Sequence, residues 1–516
     1  MALIYRAILL HPIYCRALMR GNPWGWQRGG TVAIGAISLL VILAASLMLD
    51  SAVRPRRTGR RSWQGLFLHL LTMSGLFGLF LAVSGSAIVA AALAIGLQLL
   101  FVIGSNAKHA MLGEPLLFSD LTLFAALFRH PSFYLSALSA AQKVGAVLGA
   151  GGLLLALAWL FVPRLSPHLI GVGLLLAVLG MMSLFLRSRA GRDLARKPDM
   201  PADLARHGLA ATLLLYWLRW RATPDPPILA ASVEERGADQ ARPELVVVVQ
   251  CESFADPVDL TGDPRLALPG LTRARQAAWQ WGDLGVSGFG AYTMRTEFGV
   301  LFGRSEGDLG FRQYDPFLTA KGEASYALSA RLGAWGYRAL FVHPHDLRFY
   351  GRDRLMPAIG FDRLVGEESF PPVTAGQGRY VDDRTLGAEL RTLIDAATGP
   401  TLIYAVTMEN HGPWTKDRVA GSPGGLDAYL HHVRSSDVML ADLADHLAGT
   451  GRSALLVFLG DHRPSIPGVL EPGQARHTSY VMLRFTPGDG DASGPGRADL
   501  TPDELHHAIL RAARAD

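Results

Sequence analysis

The chain has 516 residues, half of them hydrophobic, with a formal net charge of +5 and a mean hydropathy of +0.23. Such a length accommodates about two to four domains, and the positive mean hydropathy is unusual for a soluble enzyme. The excess arginine flanks apolar runs and forms no basic stripe interleaved with aromatics, which excludes nucleic acid as the expected partner. The two cysteines, Cys15 and Cys251, make no disulfide framework.

Residues 1–30 are basic and carry Trp24 and Trp26, an interfacial pattern ahead of the first apolar run. Five runs follow with almost no internal charge: Thr31–Leu49, Leu66–Val83, Ala87–Ile103, Val144–Val162 and Leu169–Leu186. A bilayer crossing takes about 20 apolar residues, so residues 1–190 read as a transmembrane anchor of about five spans. Ser84-Gly85-Ser86 predicts a tight helical hairpin, and residues 106–120 a longer connection on the membrane surface. Residues 191–243 hold an amphipathic helix over 203–221, either lying on the membrane or packed on the later domain, and then a Pro-rich, charged linker.

From residue 244 to 516 the pattern changes to short apolar runs: Val246–Val249, Ala339–Val342, Thr401–Val406, Ala454–Leu459 and Tyr480–Phe485. Helix-like stretches such as Ala324–Leu332 and Leu426–Leu447 fall between them. The alternation predicts an α/β domain with a mainly parallel sheet and helices on both faces.

Two of the apolar runs end in metal-ligand chemistry: Val249-Gln250 leads into Cys251-Glu252-Ser253, and Leu459-Gly460 into Asp461-His462. In open α/β sheets the site lies beyond the carboxyl ends of the strands. Carboxylates and an imidazole converging there suit a dication. The Gly-rich turn Gly288-Phe-Gly-Ala-Tyr-Thr293-Met-Arg-Thr296 leads into a helix, supplying a hydroxyl nucleophile and backbone N–H groups for phosphate oxygens. Together with the spans, these residues point to a membrane-anchored, metal-dependent enzyme that modifies an envelope glycan or lipid.

The motifs Cys251-Glu252-Ser253-Phe254, Tyr292-Thr293, Phe349-Tyr350-Gly351-Arg352-Asp353, Asn410-His411-Gly412-Pro413 and Gly460-Asp461-His462 occur in an order that resembles the lipoteichoic acid synthase family, within the alkaline phosphatase–sulfatase superfamily. The stretch from Asp346 to Leu355, followed by Gly360-Phe361-Asp362, looks especially like the phosphoglycerol transferases of periplasmic glucans. The resemblance covers about half the chain at motif level. It implies that Glu252, Thr293, Asp461 and His462 bind a divalent metal, manganese or zinc, and that Thr293 is the nucleophile, with Thr296 as the rival hydroxyl. It implies that Tyr350 and Arg352 hold the head group and that His411 protonates the leaving alkoxide. His477 resembles a further site histidine of the phosphoethanolamine transferases. Arg295 stands where Gram-positive synthases carry an acid, so substrate contacts beside the nucleophile differ. His343 and His345 follow an apolar run and could line the site.

The implied reaction transfers phosphoglycerol from phosphatidylglycerol to an envelope glycan through a phosphothreonine. The alternatives are a phosphoethanolamine transferase acting on lipid A or a glycan, and a hydrolase of the phosphodiesterase or sulfatase type. No Cys/Ser-x-Pro-x-Arg run lies near residue 293 to make the formylglycine of a true sulfatase. The implied location is the bacterial inner membrane with the catalytic domain in the periplasm. The basic N-terminus and five crossings agree with that, whereas the arginines of loop 51–62 favour the opposite orientation.

Overall fold

The computed structural model describes residues 26–56, 59–121, 140–229, 242–373, 379–414, 418–419, 421–473, 475–487, 494 and 496–514. Cys15, Trp24 and most of the charged linker lie outside these residues. The chain forms two compact units. One takes residues up to 106 together with 116–216; the other takes 107–115 and 217 onward.

The first unit is helical. Its elements are α1 (Trp26–Ser51), α2 (Trp63–Ser84), α3 (Ala87–Leu112, whose end from residue 107 belongs to the second unit), α4 (Ala140–Trp159), α5 (Leu165–Arg187), α6 (Met200–His207) and α7 (Leu209–Ala222, whose end from residue 217 belongs to the second unit). Ala33–Ser51, Trp63–Ser84, Ala87–Leu112 and Leu165–Arg187 are long and apolar enough to cross a membrane, while the apolar part of α4, Lys143–Trp159, is shorter. Helices α2 and α5 approach backbone to backbone. A Cβ on Gly78 would stand 3.1 Å from the Gly171 carbonyl oxygen, and one on Gly171 only 2.3 Å from the Ala82 nitrogen. Small residues are what permit such close packing between apolar helices. The hairpin between α2 and α3 turns at Gly85, at φ 67°, whose N–H caps the Leu81 carbonyl.

The amphipathic segment over 203–221 is two helices, not one. Gly208 breaks it at φ 79°, because Asp50 and Arg61 fill the space a side chain there would need. Asp50 accepts from the Leu209 N–H at 2.9 Å and pairs with Arg61 at 3.2 Å. One arginine of the loop that confuses the charge pattern is thus buried and neutralised.

The second unit holds an eight-stranded sheet in the order β4-β3-β5-β1-β6-β7-β2-β8. In chain order its elements are β1 (Leu245–Cys251), α8 (Pro269–Gln276), β2 (Gln280–Gly285), α9 (Thr293–Phe302), β3 (Arg338–Val342), α10 (Arg352–Ala358), β4 (Arg363–Val365), α11 (Asp383–Ala396), β5 (Thr401–Val406), α12 (Gly425–Gly449), β6 (Ala454–Gly460), β7 (His477–Phe485), β8 (Gly496–Arg497) and α13 (Pro502–Arg514). The pairs β4/β3, β3/β5, β5/β1, β1/β6 and β2/β8 are parallel, and β7 is antiparallel to both β6 and β2. Every residue of β1, β5 and β6 is buried. Central parallel strands covered on both faces need apolar side chains at every position, which is why they read as unbroken runs. Val246 and Val248 join a core with Phe298 of α9 and Ile509 of α13, whereas Val247 and Val249 join one with Leu390 of α11 and Leu440 of α12. The stretch Ala324–Leu332 is not one helix: a 3-10 segment ends at Tyr326 and a new α-turn starts at Leu328.

Candidate active site

Strands β1 and β6 are parallel neighbours, and Cys251 stands opposite Gly460 at their carboxyl ends. The next residue on each, Glu252 and Asp461, therefore leaves the sheet side by side. Gly460 is needed at this point, since a Cβ there would fall 1.8 Å from the Phe254 carbonyl oxygen. His462 follows directly, and Thr293 enters from the first turn of α9. All four side chains are buried.

His462 Nε2 lies 3.3 Å from Glu252 Oε1 and 3.7 Å from Asp461 Oδ2. The Thr293 hydroxyl donates to Glu252 Oε2 at 3.2 Å. Among the described residues, Glu252, Asp461 and His462 are the group of ligating side chains compact enough for a metal ion, with atoms within 4.8 Å of one another. Asp461 Oδ1 accepts the Ser253 N–H at 2.7 Å, but Oδ2 is buried with no hydrogen-bond partner. A buried carboxylate oxygen without a donor is costly, and here it faces a second carboxylate and an imidazole. The donor set and this open oxygen fit a divalent cation.

Burial raises the Glu252 carboxyl, but the nearby His411, together with the hydrogen bond and charge of His462, outweighs it and holds it below the usual carboxylate range. Burial and the Glu252 charge push Asp461 upward. Burial opposes protonation of His462, yet the two carboxylates hold its imidazole above the ordinary value. The Thr296 hydroxyl is committed to the Asp461 carbonyl at 2.7 Å, so of the two threonines only Thr293 turns its hydroxyl to Glu252.

Around this centre the other expected residues divide. His411 is half-buried, with Nδ1 2.8 Å from the Gly412 carbonyl oxygen, and its ring packs 5.8 Å from that of Tyr380, which also meets His345 at 5.8 Å. His343 is buried at the end of β3 with Nδ1 2.9 Å from the Val406 carbonyl oxygen, and burial, reinforced by Arg352, holds it well below the usual imidazole value. Arg352 is buried as well. Its guanidinium grips Glu297 of α9 through Nε at 3.1 Å and Nη2 at 2.5 Å, with His343 Nε2 3.4 Å from Nη1. The Tyr350 ring lies 4.3 Å from that of Phe349, tilted by 49°, and 5.1 Å from the Arg352 guanidinium, and it lines an open cleft of about 500 Å³ with Phe317 and Arg354. His477 sits apart, its Nε2 2.9 Å from Asp259 and 2.7 Å from Arg463. Arg295 does not reach the metal-ligand group. It is buried and holds Glu114 with both terminal nitrogens, at 2.7 and 3.1 Å. Burial works to raise the Glu114 carboxyl, but Arg295 outweighs it and keeps it below the usual range.

The sequence reading missed Glu297, Arg463, Tyr380 and Glu114. Glu297 had a signal, since it lies four residues after Thr293 on one helix face. Arg463 directly follows the Asp461-His462 pair, whereas Glu114 had no signal, because its partner Arg295 lies 181 residues away in the chain.

Residues 244–503 match the sulfatase family. The capsular polysaccharide biosynthesis protein RkpI of Rhizobium meliloti (strain 1021) is 30% identical over 462 residues, covering 85% of each chain. A putative cyclic beta-1,2-glucan modification protein of the same organism is 24% identical over 448 residues, 79% of this chain and 67% of that one. Among solved structures, the integral membrane lipooligosaccharide phosphoethanolamine transferase A of Neisseria meningitidis shares the fold across both units, with a TM-score of 0.52 at 13% identity over 93% of this chain and 95% of that one. By the match over residues 244–503 and the 30% identity to RkpI across 85% of each chain, the chain belongs to the sulfatase family of the alkaline phosphatase–sulfatase superfamily.

Proposed function

We propose that this protein transfers phosphoglycerol from phosphatidylglycerol to an envelope glycan, with Thr293 as the nucleophile. The observation that carries the reading is the buried Thr293 hydroxyl, 3.2 Å from Glu252, whose carboxylate groups with the open oxygen of Asp461 and with His462. A glycan acceptor is supported by the names of the two relatives, one a capsular polysaccharide biosynthesis protein and the other a putative glucan modification protein. Apolar helices long enough to span a membrane would keep the site near a lipid donor, in the inner membrane with the site on the periplasmic side.

Glu252, Asp461 and His462, with the Thr293 oxygen, would hold a manganese or zinc ion, whose charge would ease deprotonation of the hydroxyl and stabilise the phosphoryl oxygens. Thr293 gives up its hydroxyl proton to solvent, and the alkoxide Oγ attacks phosphorus as the bond to the diacylglycerol oxygen breaks, with His411 supplying a proton to that oxygen. A glycan hydroxyl then displaces phosphoglycerol from Thr293, returning the Thr293 alkoxide and giving its proton to His411. Backbone N–H groups at the start of α9 are placed to receive phosphate oxygens. Tyr350 and Arg352 complete the head-group side of the reading.

The test is the intact mass of the detergent-purified protein after incubation with phosphatidylglycerol and manganese, with Thr293→Ala in parallel. A phosphoglycerol adduct on the wild type alone supports donor and nucleophile together. An adduct only with phosphatidylethanolamine would replace the donor, and none with either lipid in metal-loaded protein would remove the covalent route.

A further inference from the structure

Tyr292, which precedes the Thr293 nucleophile and caps α9, sits at φ 79° and ψ 32°, in the left-handed region that a bulky side chain disfavours. It makes no side-chain cap to the helix. Something outside the turn must hold it there, because a turn free to relax would swing Thr293 away from Glu252.

The structure shows what does. The Arg295 guanidinium lies 3.9 Å over the Tyr292 ring and the Lys108 ammonium 5.3 Å from it. Arg295 itself is buried, and a buried cation persists only with a counter-charge. Glu114 provides that charge as a two-pronged partner. Lys108 and Glu114 come from one short strap, residues 107–115, that packs with the catalytic unit. The strap is fixed at three further points. The Met111 carbonyl accepts from the Ser465 hydroxyl at 2.9 Å, the Leu112 side chain lies 3.4 Å from where a Cβ on Gly290 would stand, and Gly113 leaves room for Arg476, which a Cβ would meet at 2.8 Å. Gly290 belongs to the same turn as Tyr292, at φ 67°.

We infer that Glu114 is a positioning residue: through Arg295 and the Tyr292 ring it holds the turn that presents Thr293 to Glu252. Arg295 on this reading is a structural cation and does not contact substrate. The inference rests on the nucleophile role proposed above for Thr293, and its test separates the two.

The full-length protein is compared with Glu114→Gln, Glu114→Asp and Arg295→Met. Hydrogen–deuterium exchange of the peptide spanning 286–298 reads the turn directly and needs no activity. Glu114→Gln is expected to speed exchange there by about tenfold or more while the β1 and β6 peptides stay unchanged, which marks local opening. In the phosphatidylglycerol reaction, kcat is expected to fall by about 10- to 100-fold, since a displacement on the order of 1 Å has that effect, with KM within about twofold. Glu114→Asp keeps the charge and is expected to recover most of kcat. Unchanged exchange in Glu114→Gln would overturn the inference, as would a raised KM with unchanged kcat in Arg295→Met, the mark of a substrate contact. Wild-type protein that transfers neither lipid head group would refute the proposed function, while the exchange data would still decide the strap.

Discussion

Arg352 and Glu297 form the most fully buried ion pair beside the site, with side chains 2% and 0% exposed and the closest nitrogen and oxygen 2.5 Å apart. At about 3 Å and an effective dielectric of about 20, their attraction is on the order of 5 kcal/mol. Desolvation cancels much of that while the pair is intact, but removing one partner strands the other charge and costs about 3–5 kcal/mol. Arg352→Met and Glu297→Gln should therefore each lower the melting temperature by roughly 6–20 °C, at about 2–4 °C per kcal/mol for a domain of this size. The double variant Arg352→Met/Glu297→Met leaves no stranded charge and should melt within a few degrees of the wild type. Tryptophan fluorescence on the detergent-purified chain measures all four proteins. The comparison also separates two roles of Arg352. If it only neutralises Glu297 on α9, the double variant regains turnover with its stability. If it also holds the head group, stability returns and turnover does not. The reasoning fails if Arg352→Met melts within about 2 °C of the wild type, or if the double variant is as unstable as either single one.

Removing divalent metal with a chelator should abolish head-group transfer, and manganese or zinc should restore it in the wild type but not in Asp461→Asn; transfer that persists in rigorously metal-free protein would refute the ligand assignment. Gly460→Ala places a methyl against the Phe254 carbonyl and should displace Asp461, lowering metal affinity in a titration by at least about tenfold; an unchanged affinity would show that the strand end can shift freely. Leu456, fully buried at the middle of β6, should cost about 2–5 kcal/mol as alanine in a denaturant melt. His506 is buried with Nδ1 2.9 Å from the Val300 carbonyl oxygen, and burial lowers it from 6.5 to about 3. The unfolded chain then binds a proton that the folded chain refuses, so its contribution to stability is lost as pH falls below about 6.5, by about 2 kcal/mol at pH 5. His506→Asn should flatten the fall in melting temperature between pH 7 and 5, and an unchanged slope would exclude His506 as its source.

What the sequence could reveal followed from how locally each feature is encoded. The runs of β1, β5 and β6 stood out because a strand covered on both faces has no polar position to break it. Strand β2 did not, since Gln280-Trp-Gly-Asp-Leu-Gly285 alternates buried with more exposed positions and carries two glycines, and its pairing with β7 and β8 makes it a strand. The helix expected over 203–221 failed at Gly208 for a reason no local pattern carries: Asp50 and Arg61 occupy the space beside it. In the site, Glu252, Asp461 and His462 were legible because they directly follow recognisable strands. Arg295 was legible only as an oddity. Its partner Glu114 lies 181 residues earlier in a connection read as membrane-surface loop, and a charge in a motif does not announce whether it faces substrate or a counter-ion.

Helix α9 explains why such pairs gather here. All ten residues of α9 are buried, three of them charged or hydroxyl-bearing beyond Thr293 itself: Arg295, Thr296 and Glu297. A helix buried all round would ordinarily be apolar all round. Each of these polar groups must therefore find a fixed partner, and each partner comes from a different segment: Glu114 from the strap, the Asp461 carbonyl from the end of β6, and Arg352 from the start of α10. Three directional bonds from three directions leave the first two turns of α9 little freedom to rotate or slide. A nucleophile gains most when the groups around it need no rearrangement at the moment of reaction. Polar burial that would be a liability for stability alone is accounted for if its purpose is to fix the position of Thr293 against Glu252.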